Sequence, residues 1–237
     1  MSGMNFDRHA DDYSARIGEA VAVFGARHDF YIRNKGGIIL DLLGSTAAGA
    51  RLLDVGCGLG LVHPYLVDHV AELHGVDISE RSLAAARRAN PAVRYAAYDG
   101  LSLPYRGGSF DCAFAINVMH HVPPENWPGF LVEMARVVRG GGQVAVIEHN
   151  PLNPATRWIV RTCPLDEGAV LVGARRLRSL FAASGLRTVT TRYVLFTPFD
   201  TPLARSVDHA LARVPLGAQY VMRGFAPSSA ERALQAA

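Results

Sequence analysis

Leu52-Leu53-Asp54-Val55-Gly56-Cys57-Gly58-Leu59-Gly60 is the stretch that decides the fold. An apolar run ends in an acid and passes into three glycines on alternate positions. A short apolar run bounded by glycine reads as a strand entering a turn, where bare backbone comes close to a ligand. Working outward, the region from about residue 50 to 150 alternates strand with helix. "ARLLDVG" is a strand, "LGLVHPYLVDHV" a helix and "AELHGVDI" a second strand. Ser79 caps "ERSLAAARRAN", which Asn90-Pro91 ends. "VRYAAY" and "FDCAFAIN" are the third and fourth strands. "PENWPGFLVEMARVVRGGG" is a helix closed by glycines, and "QVAVIEH" is a fifth strand. Strands separated by helices of about ten residues need right-handed crossovers, so the fold class is α/β. The expectation is a doubly wound, mainly parallel, seven-stranded sheet with helices on both faces.

Beyond residue 150 the pattern becomes Pro-punctuated. Asn153 caps and Pro154 opens one short helix. A helix ("ARRLRSLFAASG"), a strand ("LRTVTTRYVLF"), a helical segment around "LARSVDHALARV" and a last strand ("AQYVMRGF") follow. The expected organisation is a helical arm or lid over 1–45, a ligand-binding core over 46–150, the rest of the same domain with a substrate-covering insertion over 151–224, and a frayed tail over 225–237.

The 237 residues are 49% hydrophobic and 19% charged, which suits a globular chain with a sizeable core. A net charge of +3 with scattered arginines does not point to nucleic acid, and Lys35 is the only lysine. Cys57, Cys112 and Cys163 are odd in number and widely spaced. They form neither a disulfide framework nor a zinc motif, so no metal is expected and a reducing cytoplasm is. No apolar run reaches the ~18 residues of a membrane span. The oligomeric state is not readable.

In an open α/β sheet, ligands lie beyond the carboxyl ends of the strands. Three successive strands here end in Asp54, Asp77 and Asp99. One such acid is commonly a turn former, but an ordered triplet selects among ligands. No Gly-Lys-Ser/Thr phosphate loop exists, and the glycine spacing is not G-x-G-x-x-G. Asp54 would repel a pyrophosphate and attract an ammonium. Asp77 suits the hydroxyls of a ribose, and Asp99 the exocyclic amine of adenine. A phosphate-free, positively charged nucleoside fits all three, and S-adenosylmethionine is such a molecule.

On "LLDVGCGLG", "GVDIS", "AAYDGLSLPYRGGSFDCAFAINVMHHV" and "ARVVRGGGQVAVIEHN", the chain resembles the class I S-adenosylmethionine-dependent methyltransferases over about residues 50–150. The later segment is similar to a bacterial small-molecule subgroup. The resemblance implies that Gly56, Gly58 and Gly60 line the methionine portion, with Cys57 in their turn. It puts Asp77, followed by Ile78, at the ribose, Asp99 and Gly100 at adenine, and Asn117 under the sulfonium. "FDRHADDY" is similar to the F-D-x-x-A-x-x-Y opening of a lid helix, which puts Tyr13 over the cofactor.

On the acceptor side, His149 follows the fifth strand beside Glu148 and is a candidate base or acceptor contact. Its plainer reading is a histidine that orders the next turn. His120 and His121 are expected to open the helix after the fourth strand, with one of them, counted here as His121, facing the cleft. His63, His69 and His74 are expected at the surface. Arg157 and Arg161 share a helix face near Trp158. They form a clamp for a carboxylate or phosphate on the acceptor, a solvated basic face, or pairs with Asp166 and Glu167. Tyr31, with other aromatics of the arm, roofs the pocket or anchors the arm. "FTPFDTPLARSVDHALARVPLGA" is expected to pack on the sheet, with an interfacial, lipid-facing role as its alternative. The favoured function is methyl transfer to oxygen or carbon of a small acceptor, acidic or lipid-like. The rivals are an NAD(P)-dependent oxidoreductase and a non-catalytic cofactor-binding protein.

Overall fold

In the computed structural model, residues 28–228 are described, except 198 and 200. The expectations for Tyr13, the start of the arm and the end of the tail lie outside them. Helix α1 (His28–Leu43) leads through a 3-10 turn into β1 (Arg51–Val55), β2 (Glu72–Asp77), α2 (Glu80–Ala89), β3 (Arg94–Ala97) and β4 (Phe110–Ile116). Then come α3 (Trp127–Val137), β5 (Val138–His149), α4 (Pro154–Thr162), α5 (Ala174–Ala183), β6 (Arg187–Val194), α6 (Pro202–Ala210) and β7 (Gln219–Phe225). The seven strands form one sheet in the order β3-β2-β1-β4-β5-β7-β6. β7 runs antiparallel between β5 and β6, and the pairings from β3 through β5 are parallel.

Alternation along the strands splits the core in two. Leu53, Val55, Ala113, Ala115, Val144 and Val146 face α3 and α5, which contribute Phe130, Leu131, Met134, Leu177 and Phe181. Leu52, Cys112, Phe114, Ala145 and Ile147 face the other way, against Phe30, Ile38, Ile39 and Leu43 of α1. Tyr31 packs partly buried against this second cluster, its ring 5.3 Å from that of Phe30, so it anchors the arm.

Several local expectations fail for identifiable reasons. "LGLVHPYLVDHV" is not a helix but two 3-10 turns, His63–Tyr65 and Val67–His69. The fully buried His63 side chain ties this segment to β1 and β3, and Pro64 opens a tight turn around it. Helix α3 is not closed by glycines. It stops at Val137, and β5 begins at Val138, with Gly140 to Gly142 inside the strand. The start of the expected tail is held: Phe225 ends β7, and buried Ala226 donates its amide to the Gly142 carbonyl at 2.8 Å. Ser79 and Asn153 cap α2 and α4 as read, accepting from Ser82 and Thr156 amides.

The segment containing α6 does not pack its apolar side chains inward. Ala204 is buried, but Phe199, Leu203, Leu211, Val214 and Leu216 are exposed. Among the described residues, no helix is long and apolar enough to cross a membrane.

Candidate active site

The carboxyl ends of β1 to β5 converge, and two neighbourhoods form there. The first follows β1 and β2. After β1 the chain turns on Gly56, Gly58 and Gly60, all at positive φ. The amides of Gly56 and Cys57 donate to the Val76 carbonyl at 2.8 and 2.9 Å, pinning the turn to β2. Gly58 has φ +51°, and a Cβ placed there would meet nothing within 4 Å. The position therefore opens onto free space, as backbone beside a ligand does. Its amide donates to Asp77 Oδ2 at 2.8 Å, while Oδ1 of Asp77 accepts from Ser79 at 2.9 Å. Burial raises the Asp77 carboxyl, and these amides oppose that.

Asp54 is buried and shares a hydrogen bond with His63 Nε2 at 3.0 Å, and His63 Nδ1 lies 2.6 Å from the Tyr95 hydroxyl. Asp54 Oδ1 has no partner among the described residues. A buried carboxylate oxygen left without a donor is costly, so it marks where a ligand donor belongs. Burial raises this carboxyl, against the His63 contact. His63 is thus a buried partner of Asp54 rather than a surface residue. The local sequence gave no sign of this, because Tyr95 joins from β3. His74 is buried too, between Glu72 and Tyr105, whereas His69 is exposed as expected. Burial, with Asp54 and Asp77 nearby, raises the Cys57 thiol well above its usual range, which removes it as a nucleophile.

The far end of this neighbourhood is open. Ile78 is 53% exposed although apolar, and its Cγ2 would lie 3.5 Å from a Cβ on Gly100. These two present a dry edge for a planar ring. Asp99 is exposed, and its Oδ1 accepts from the Ser102 and Leu101 amides at 2.7 and 2.8 Å. Those bonds lower its carboxyl and make it a turn former as well as a ligand candidate.

The second neighbourhood follows β4 and β5. Asn117 takes φ +55°, uncommon for a residue with a side chain. Its amide donates to Ile147 O at 2.8 Å. The side chain lies between His149 Nε2, 3.3 Å from Nδ2, and Gln219, whose Nε2 donates to Oδ1 at 3.2 Å. Glu148 was expected to meet substrate, but it is 1% exposed and fully engaged. Its Oε1 accepts from the Met119 amide at 2.7 Å, and its Oε2 takes His120 Nδ1 at 2.7 Å and the His149 amide at 3.2 Å. It positions its neighbours and is closed to an acceptor.

His120 and His121 do not open a helix. They sit in a 3-10 turn, Met119–His121, and both reach Asp166 of the segment after α4. Asp166 is therefore paired with these two rings and not with the arginines. Arg157, Trp158 and Arg161 lie on the exposed face of α4, and Thr156 and Val160 are its buried side. The proposed clamp is therefore not assembled at this site.

These groups titrate together. Burial lowers His120, but Glu148 and Asp166 outweigh it and bring the ring to about 9. Burial raises Glu148, but His120 outweighs it and leaves the carboxyl at about 2. Burial and the His120 charge take His121 to about 4 and His149 to about 3. At that level His149 is neutral near pH 7 but a feeble base, better suited to accepting a hydrogen bond than to holding a proton.

Sequence reasoning missed Lys35 altogether. The chain's only lysine lies on α1, 8% exposed, and makes no hydrogen bond or ion pair among the described residues. Burial lowers its ammonium to about 8, opposed by Glu148 and Asp166. Its charge also bears on His149. One available signal was its place within the apolar run of α1, where a solvated lysine is out of register.

Comparison with known proteins agrees with this geometry. The methyltransferase domain family matches residues 53–146. A ubiquinone biosynthesis O-methyltransferase from Sinorhizobium medicae is 31% identical over 175 residues, covering 68% of this chain and 69% of that protein. A phthiotriol/phenolphthiotriol dimycocerosates methyltransferase from Mycobacterium leprae is 32% identical over 117 residues, covering 48% of this chain and 43% of the relative. Among solved structures, an S-adenosylmethionine-dependent methyltransferase from Thermotoga maritima superposes with a TM-score of 0.68 at 20% identity, over 93% of this chain and 97% of that one. The chain belongs to the class I S-adenosylmethionine-dependent methyltransferases. Its cofactor is S-adenosylmethionine, which fits the Gly58 cradle and the unpartnered Asp54 oxygen. The nicotinamide alternative falls.

Proposed function

We propose that this chain methylates an oxygen of a small acceptor that binds as an anion or is drawn toward one, with Lys35 holding that oxygen. Bound S-adenosylmethionine supplies an activated methyl group. The glycine turn and Asp54 would hold its amino-acid end, Asp77 its ribose, and Ile78, Asp99 and Gly100 its adenine. Asn117, at the end of β4, stands between this cradle and His149. The observation that carries the acceptor reading is the buried Lys35 ammonium, which makes no hydrogen bond or ion pair among the described residues. A buried cation without a direct partner destabilises the fold, so an anionic oxygen is its natural complement. Lys35 stabilises negative charge on the acceptor oxygen, and His149 orients it by hydrogen bonding. Proximity and orientation supply most of the remaining advantage, ~7–11 kcal/mol in favourable cases. O-methylation is also the activity named for the Sinorhizobium relative.

The test is formation of S-adenosylhomocysteine against paired acceptors of similar size: phenols and hydroxy acids against amines. Turnover with the oxygen acceptors and a Lys35→Met variant at least tenfold slower on them are expected. Turnover confined to amines would overturn the reading.

A further inference from the structure

We propose that His120, His121 and Asp166 form a binding site for one divalent transition-metal ion beside the acceptor pocket. One nitrogen of each imidazole and one carboxylate oxygen lie within 4.8 Å of one another. His120 Nε2 is 3.4 Å and His121 Nε2 3.6 Å from the same oxygen, Asp166 Oδ1. These separations are long for hydrogen bonds, whose N···O distances centre near 2.9 Å. They match the edge of a tetrahedral site: metal bonds of about 2.0–2.1 Å put neighbouring ligand atoms about 3.3 Å apart.

The bonding of His120 points the same way. Its Nδ1 lies 2.7 Å from Glu148 Oε2, so Nδ1 carries the proton and donates it. Nε2 is left facing the Asp166 oxygen, and a metal ion there would take the place of the proton between them, bound by the Nε2 lone pair and the carboxylate. A histidine whose far nitrogen donates to a buried carboxylate is the usual arrangement behind a metal ligand. Glu148 is itself fixed by the Met119 amide at 2.7 Å. Two imidazoles and one carboxylate suit Zn²⁺ or Co²⁺ better than Mg²⁺, which prefers an all-oxygen shell. Three protein ligands leave a coordination position open, as in sites that also bind a substrate atom. The ring of His149 lies 5.0 Å from that of His120, so the site adjoins the proposed acceptor pocket. The inference deepens the acceptor reading above, but its test does not depend on turnover.

Full-length chain dialysed against a chelator is titrated with Zn²⁺ and with Co²⁺ by calorimetry, and the Co²⁺ form is examined for the intense visible absorption of a tetrahedral site. One ion per chain and that absorption are expected. Asp166→Asn and His121→Ala should each weaken binding at least 100-fold, Glu148→Gln by 10–100-fold, and His69→Ala not at all. S-adenosylhomocysteine binding, measured on the same samples, should be retained in every variant, which separates loss of the metal site from loss of fold. No stoichiometric ion in the wild type, no tetrahedral spectrum, or wild-type affinity in both Asp166→Asn and His121→Ala would each overturn the proposal. Loss of S-adenosylhomocysteine binding by the wild type would instead count against the cofactor reading and leave the metal result to stand.

Discussion

The ends of β1 and β2 and the ends of β4 and β5, proposed above to serve one reaction, are built differently. The cofactor side is mostly backbone. Three glycines at positive φ, amides aimed at Val76 and Asp77, and one buried Asp54–His63 pair shape it. The acceptor side is mostly side chain. Glu148, His120, His121, Asp166, His149 and Lys35 influence one another there; Glu148, His120 and Lys35 are buried and the other three half-buried. A backbone cradle can bind a constant ligand with little demand on side-chain identity. A charged cluster, if it is the acceptor side as proposed, places the acceptor's own chemistry in contact with residues drawn from α1, β5 and the segment after α4.

If this contrast is right, damage to the two sides has different symptoms. The largest effect is expected at Glu148→Ala, which strands a charged His120 in the core. Loss of one partner of a buried pair costs about 3–5 kcal/mol, so urea unfolding should show a midpoint far below wild type. Next comes Asp77→Ala, which removes the acceptor of the Gly58 and Ser79 amides and the proposed ribose contact. Calorimetry with S-adenosylhomocysteine should show affinity reduced ~100-fold, since hydrogen bonds to charged groups contribute about 1.5–3 kcal/mol.

Lys35→Met should part stability from activity. The folded ammonium titrates at about 8 against 10.5 for an ordinary lysine, so between those values the unfolded chain binds more protons. Wild-type stability therefore rises as pH climbs from 8 to 10.5, because the cost of the buried charge disappears. Lys35→Met should lose that rise and melt higher than wild type at pH 7, while turning over at least tenfold more slowly. The smallest effect is expected at Arg157→Ala. With its side chain on the exposed face of α4, it should leave kcat/KM within about twofold for any acceptor.

The same contrast explains what the sequence disclosed. The cofactor side is encoded locally: "LLDVGCGLG", "GVDIS" and "YDG" each place an acid or glycine at a strand end, and the strand–helix alternation supplies their order. The sheet, its near-complete strand list and its cofactor were legible for that reason. The acceptor side is assembled from residues more than a hundred positions apart, such as Lys35 and Asp166. Only packing brings them together, so the local pattern suggests a helix start for His120 and His121 and pairing with exposed arginines for Asp166. His63 was misjudged for the same reason, because its partner Tyr95 comes from a different strand. The exposed apolar side chains near α6 show the reverse error, in which periodicity implied a burial that the fold does not provide.

The central claim is that cofactor and acceptor are held by separable parts of the site. It is tested most directly by measuring S-adenosylhomocysteine affinity and initial methylation rate on wild type, Asp77→Ala and Lys35→Met in parallel. The account predicts that Lys35→Met binds S-adenosylhomocysteine within about twofold of wild type while its rate falls at least tenfold, and that Asp77→Ala loses the affinity itself. Equal loss of S-adenosylhomocysteine affinity in both variants would contradict it.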